Sequence, residues 1–314
     1  MKVLVTGGAG FIGSAISKKL LSNGHEVRVL DLRPSTVDGV ESITGSILDR
    51  NVIAHSVSGC DAVVHLAAMV GVYRTDAQPL PCMDVNLQGS VCLFEACVKE
   101  RIKKILFSSS SEVYGDSKAN SINEDHELMP KSIYAISKIA AEGYLRAYAK
   151  RYGFDFSIVR FFNVYGVGQV CEFVIPRFVK AVHDNHPPNV FGAGNQVRCF
   201  CYMDDAAHGV YLALTNESAN GETFNIGNDL EPITVRALAE KVISLSGKDI
   251  SINFIELENS DRKPEREIFF RRPVISKAKN ILGYEPNVSL DEGLKYLIEH
   301  GEIPDSPFFP MDYK

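Results

Sequence analysis

A tyrosine and a lysine four residues apart, Tyr134 and Lys138, lie in SIYAISKIAAEGYLRAYAK, whose apolar spacing is strongly helical. That spacing stacks both side chains on one helix face. An ammonium beside a phenol favours the phenolate and lowers its pKa from about 10 toward neutrality. Such a tyrosine can act as a general base, taking a hydroxyl proton while hydride leaves the same carbon. The plain alternative is a surface Tyr–Lys pair. A second pair, Tyr114 and Lys118, sits in EVYGDSK, where Gly115 and Asp116 break a helix, so its side chains need not align. Just before it, SSSSEVYGD follows the apolar KKILF. Serines there can cap a helix or fill a turn. A hydroxyl at the carboxyl end of that strand would also face the cleft holding Tyr134 and could bind a reacting alcohol.

Hydride needs an acceptor, and the chain opens with a place for one. VLVTGGAGFIGSAISKKLL puts Gly7, Gly10 and Gly13 between a strand and a helix. Such glycines permit a tight turn, close approach of a pyrophosphate, and close helix–strand packing. The helix N-terminus then offers N–H groups and a positive dipole end. Three glycines alone occur in many tight turns. Here Asp31 also closes the second strand (RVLDL), where a carboxylate accepts from ribose hydroxyls and repels a 2′-phosphate. NAD is favoured over NADP; Arg33, otherwise a solvated loop charge, is the feature on the other side.

The elements that must hold these groups alternate. VLVT (3–6), EVRVL (26–30), DAVVHL (61–66), KKILFS (103–108) and FSIVRF (156–161) read as strands. Segments 11–23, 83–100 and 133–152 carry helical spacing. This predicts an α/β fold, a doubly wound parallel sheet over residues 1–165. Residues 166–314 read as a smaller mixed region that forms a cleft at the sheet's carboxyl edge, and the chain has room to cross back to the sheet. Helix-like segments there are 174–184, 205–215, 234–246, 276–282 and 289–299, while Pro187-Pro188 and DRKPERE (261–267) read as loops.

The 314 residues are 45% hydrophobic with a formal charge of −6, and no basic block is present, which argues against a nucleic-acid surface. No signal-peptide layout and no apolar run of membrane-spanning length occur, so no membrane partner and a cytoplasmic location are expected. The seven cysteines form no Cys-x-x-Cys pair and read as reduced, mostly buried thiols. Cys199 and Cys201 share a strand face without further ligands nearby, and no metal is expected.

The chain resembles the extended short-chain dehydrogenases/reductases that modify nucleotide sugars. The likeness rests on TGGAGFIG, VVHLAA (63–68), DVNLQGS (84–90), SSSSEVYG (108–115), YAISK (134–138), VRFFNVYG (159–166), GNQVRCFCYMDD (194–205), FNIGN (224–228) and ISKAKNILGYEP (275–286). It implies Ser110 as the catalytic hydroxyl, Tyr134 as base and Lys138 as its electrostatic partner. It implies that NAD lies against Gly7, Gly10, Phe11, Ile12, Gly13, Asp31, Leu32, Ser46 and Ile47. Leu66, Ala67, Ala68, Asn86, Ser108 and Phe161 complete that surround with Tyr134 and Lys138. For a nucleoside-diphosphate sugar, most readily a UDP-sugar, it implies Ser110, Ser111, Tyr134, Asn163, Phe191, Arg198 and Arg271. Asn163 and Phe191 could instead be simply turn and core residues. The family's usual Gly-Asp after the third strand is Gly45-Ser46 here, which removes one charged adenine contact. A homodimer through helices 83–100 and 133–152 is implied too.

The implied chemistry starts with oxidation at the sugar's carbon 4. Glu112 then decides among outcomes: a carboxylate there could draw the carbon-5 proton of a 4-keto sugar, as in dehydratases, or could simply cap a turn. A 4-epimerase needs little more than room for the ketone to rotate. Arg271 to Ile275 also resembles the decarboxylases, although their segment after HLA is not recognisable in residues 69–81. A net keto-sugar reductase and a non-catalytic dinucleotide sensor are the remaining readings; the Tyr134/Lys138 pair weighs against the sensor.

Overall fold

The computed structural model describes residues 1–116, 121–256 and 268–305. Lys118 of the second Tyr–Lys pair and the 261–267 loop lie outside the described residues. Seven parallel strands form one sheet: β1 (Lys2–Thr6), β2 (Glu26–Asp31), β3 (Glu41–Thr44), β4 (Ala62–His65), β5 (Lys104–Ser110), β6 (Asp155–Phe161) and β7 (Thr223–Ile226). Their spatial order is β7-β6-β5-β4-β1-β2-β3. The order turns back between β1 and β4, and such a switch point opens a crevice at the strands' carboxyl ends.

The strands inside the sheet pair this way because they are apolar on both faces. In β1, Val3 and Val5 belong to one core and Leu4 to the other, as the two-residue side-chain period requires. Helices α1 (Phe11–Ser22) and α4 (Met203–Thr215) cover the first face through Ile16, Leu20, Ala206 and Val210. Helices α2 (Gly89–Lys99) and α3 (Ile133–Tyr152) cover the second through Leu93, Phe94, Ala141 and Leu145. Two strands lack a sequence signal. β3 is a mostly exposed edge, so no apolar run marks it. β7 is buried throughout but only four residues long, and it follows the stretch where strand–helix alternation has faded. Residues 203–226 thus pack with the large sheet although they follow residue 166.

The single helix expected over 83–100 is three pieces: a helical turn Pro79–Met83, a π-helical turn Asp84–Gln88, and α2. The extra residue in the π-turn points Asn86 inward, a distortion that clusters at functional sites. A third core, with Phe178, Val179, Val190, Leu238, Val242 and Leu294, holds the smaller region. Its three-stranded sheet centres on Val197–Arg198, flanked antiparallel by Ile233–Thr234 and parallel by Phe270–Arg271.

Candidate active site

Gly7 adopts φ +72°, and a Cβ there would lie 2.7 Å from the Ala67 backbone nitrogen. A Cβ on Gly13 would lie 2.1 Å from the Gly7 carbonyl oxygen. The turn, the first helix and the segment after β4 therefore pack at a distance that only glycine allows. Gly10 starts α1, and among the described residues no side chain caps that helix end. Its first N–H groups are the kind that receive a phosphate. At the crevice edge, Asp31 accepts from the Ala9 N–H at 3.1 Å, and Arg33 donates to the Ala9 carbonyl at 3.3 Å. This cradle fits a dinucleotide: anion-binding amides, a close-packed glycine turn and a carboxylate at the end of the second strand.

Of the expected NAD neighbours, Phe11, Ile12, Leu66, Ala67, Ala68 and Phe161 are half-buried around the turn and the strand ends. Leu32 is 72% exposed. Ser46 accepts from the Leu48 N–H at 3.1 Å, which leaves its proton to donate. Ile47 is buried, and a Cβ on Gly89 would press into it. Asn86 is buried with its carboxamide engaged on both sides. It accepts from the Met69 N–H at 2.7 Å and donates to the Met69 carbonyl and Ser137 Oγ, each at 3.1 Å.

The four serines separate sharply. Ser108, Ser109 and Ser111 are buried, while Ser110 retains exposed surface at the end of β5. Ser108 contributes its carbonyl, which accepts from Lys138 Nζ at 2.9 Å. Ser111, expected to touch the sugar, is 2% exposed and has almost no surface to offer a ligand. The reason is the 3-10 turn Ser111–Tyr114, which tucks residue 111 under the strand end and swings Glu112 outward.

Tyr134 and Lys138 share a face of α3, whose N-cap Ser132 accepts from the Ala135 N–H and whose end is set by Gly153 at φ +75°. The ammonium lies 5.9 Å from the Tyr134 ring centroid and 4.9 Å from that of Phe107. Burial brings Lys138 down to about 8, with Cys82 and Glu142 acting the other way. The expected lowering of the Tyr134 pKa is not found. The phenol is pushed up by burial, then by the Glu112 carboxylate; a hydrogen bond with Ser110 and the Arg271 guanidinium oppose that rise. Desolvation outweighs an ammonium turned toward a backbone carbonyl.

Glu112 does not simply point to solvent. It accepts from Ser132 Oγ at 3.2 Å and sits 4.0 Å from Arg271 Nη1. Arg271 in turn pairs in register with Arg198, which donates to the Val197 carbonyl at 2.9 Å. The two arginines therefore occupy paired register positions on neighbouring strands, and Arg198 also turns its guanidinium toward the Phe269 carbonyl at 3.4 Å. Asn163 occupies the left-handed region at φ +39° and donates to the Cys199 carbonyl at 2.9 Å, so its amide ties the turn to that segment. Phe191 is half-buried, its ring centroid 5.8 Å from the Arg177 guanidinium carbon.

Tyr114, of the second Tyr–Lys pair, is fully buried and does not act as a base. Its hydroxyl accepts from Arg160 Nη1 at 2.9 Å and donates to Asn225 Oδ1 at 2.7 Å. Arg160 also grips Glu142 with two bonds, 3.0 and 2.7 Å. Sequence reading passed over Glu142, although it lies two turns past Tyr134 on the same buried face. Ser132 was also legible as a helix cap, though not its bond to Glu112.

Among the described residues no group of three or more His, Cys, Asp or Glu could hold a metal ion, and no helix is long and apolar enough to cross a membrane. Residues 3–227 match a family described as the NAD dependent epimerase/dehydratase family. The chain is 33% identical to a UDP-N-acetyl-alpha-D-glucosaminuronate decarboxylase of Bacillus cytotoxicus, over 95% of this chain and 97% of that protein. Among solved structures it superposes on Pal from Bacillus thuringiensis with a TM-score of 0.87 at 34% identity, covering 95% and 98% of the two chains. It superposes equally on the UDP-glucose 4-epimerase of Thermotoga maritima solved with UDP-glucose, with a TM-score of 0.88 at 33% identity, covering 96% and 98%.

Proposed function

Because the chain belongs to the NAD dependent epimerase/dehydratase family, we propose that it oxidises a nucleoside-diphosphate sugar transiently at carbon 4, acting as a 4-epimerase or a dehydratase. The observation that carries this reading is Tyr134 and Lys138 on one face of α3, with Lys138 bonded to the Ser108 carbonyl at the strand end that carries Ser110. NAD, which the Gly7–Gly13 turn and Asp31 would hold, would supply the hydride acceptor for carbon 4. Tyr134, once ionised against the burial that raises its pKa, takes the carbon-4 hydroxyl proton, and Ser110 holds the same oxygen. Lys138, anchored on the Ser108 carbonyl, presents positive charge to that face of the site. Arg198 and Arg271 receive the diphosphate, and UDP is the nucleotide, as in the names of both UDP-sugar relatives.

The position of Glu112 favours the dehydratase branch. A carbon-5 proton next to a 4-ketone is acidic because the carbonyl stabilises the enolate; the Glu112 carboxylate takes that proton and returns it to the carbon-6 hydroxyl, whose bond to carbon breaks to release water. Ser132 and Arg271 steady the carboxylate from two sides. In the epimerase reading Glu112 only orients the sugar. Mass spectrometry of products from a panel of UDP-, GDP-, CDP- and dTDP-sugars tests the proposal. Loss of water supports dehydration; an unchanged mass with an inverted centre supports epimerisation. Loss of carbon dioxide from a uronate sugar, or no conversion of any sugar, would overturn it.

A homodimer through the outer faces of α2 and α3 belongs to the same reading, supported by the exposed Ile136, Tyr144 and Tyr152. Sedimentation of Tyr144→Glu against the parent tests it: the parent dimerises and the variant does not. A cytoplasmic location is supported by seven free thiols, five of them buried.

A further inference from the structure

A line of polar groups runs beneath the cofactor cradle to the catalytic helix, and one histidine stands at its centre. His65 closes β4, is 1% exposed, and is wedged between the rings of Phe94 and Phe107. Its Nδ1 lies 2.6 Å from Thr6 Oγ1 and its Nε2 lies 2.9 Å from Ser90 Oγ. Ser90 spends its proton on the Asn86 carbonyl at 2.5 Å. A hydroxyl has one proton, so Ser90 must accept from His65, and the ring carries its hydrogen on Nε2. Nδ1 is then the acceptor, and Thr6 donates to it. Thr6 accepts in turn from the Ala67 N–H at 3.3 Å.

Every bond in the line therefore points one way: Ala67 N–H to Thr6, Thr6 to His65, His65 to Ser90, Ser90 to the Asn86 carbonyl. The ends matter. Ala67 lies against Gly7 of the phosphate turn. Asn86 holds the Met69 backbone and Ser137, the neighbour of Lys138. We propose that His65 is a positioning residue that, as the neutral Nε2–H tautomer, holds the cofactor cradle and the Asn86 turn in one register with the catalytic helix. Burial, then the nearby Lys138 ammonium, pushes the imidazole down to about 3, which agrees with a ring that never charges. Lys138 is the charged group bearing on it; the other neighbours are the two phenyl rings and the two hydroxyls.

The proposal rests on the NAD-dependent reading only for its kinetic arm, since the tautomer can be read whatever the sugar. In 15N-histidine NMR of the intact protein, His65 should show a protonated Nε2 and a bare Nδ1, unchanged between about pH 5 and 8. A protonated Nδ1, or an imidazolium forming in that range, would overturn the assignment. His65→Leu should weaken NAD binding and lower kcat together, each about five- to tenfold, as expected for losing a buried hydrogen bond. His65→Gln keeps one donor and one acceptor and should recover most of both. Equal impairment in the two variants at matched melting temperatures would refute the positioning role. If the leucine variant does not fold, the tautomer and the glutamine variant still decide.

Discussion

Glu142 and Arg160 are the strongest single test of how the catalytic helix is held. Both side chains are 5% exposed, and their two bonds of 3.0 and 2.7 Å make a bidentate pair between α3 and β6. A surface ion pair would contribute about 0–1 kcal/mol. Here Glu142→Leu leaves a guanidinium buried with two donors unmatched, which costs about 3–5 kcal/mol. Arg160→Met removes that charge and also the bond to Tyr114, and strands the Glu142 carboxylate at a similar cost. The double variant strands neither charge, and because apolar replacement of a whole buried pair is often close to neutral, it should be more stable than either single variant. Urea unfolding at one fixed protein concentration, followed by circular dichroism, gives the four free energies of the cycle. The coupling should be at least about 2 kcal/mol. Simple additivity of the two single losses, within about 0.5 kcal/mol, would refute the argument that this pair is a coupled, desolvated unit.

Tyr134→Phe should keep NAD through gel filtration while kcat falls by about 10²- to 10⁴-fold; full turnover would remove the phenol from the base role. Lys138 has its pKa depressed from 10.5 to about 8 by burial, so turnover that needs its ammonium should decline as pH rises through about 8. The sign for stability is opposite: the folded state binds fewer protons than the unfolded one between about 8 and 10.5, so this group's penalty is relieved as pH rises across that window. A pH–rate profile of Lys138→Arg, whose side chain stays charged, should carry its alkaline limb higher; an unmoved limb assigns it to another group. Gly13→Ala pushes a methyl to 2.1 Å from the Gly7 carbonyl oxygen, so it should cost about 1–3 kcal/mol and lose NAD binding, measured by thermal melting and titration.

Some of this protein is written locally, and local features are legible. The glycine turn, Asp31 at a strand end, and Tyr134 with Lys138 one helical turn apart follow from periods of 2 and 3.6 and from turn chemistry. Those patterns hold over a few residues, so the doubly wound class could be read without coordinates. The π-turn could not, because a helical pattern reads the same with one residue looped out. Nor could the Tyr134 pKa: the spacing shows that an ammonium is near, but only packing shows that burial and Glu112 outweigh it.

What tertiary structure alone decided lies in pairings between distant segments. Arg198 and Arg271 fall on paired positions because two-residue strands align in register, and strands that short leave no periodic trace. Glu112 meets Ser132 and Arg271 because its 3-10 turn ends opposite the start of α3 and the Phe270–Arg271 strand. The direction of the proton line through His65 depends on which carbonyl Ser90 reaches, a fact of three-dimensional distance. Sequence determines the local conformations and the residues they carry; the closing of the sheet and the docking of the smaller region determine which of those residues touch.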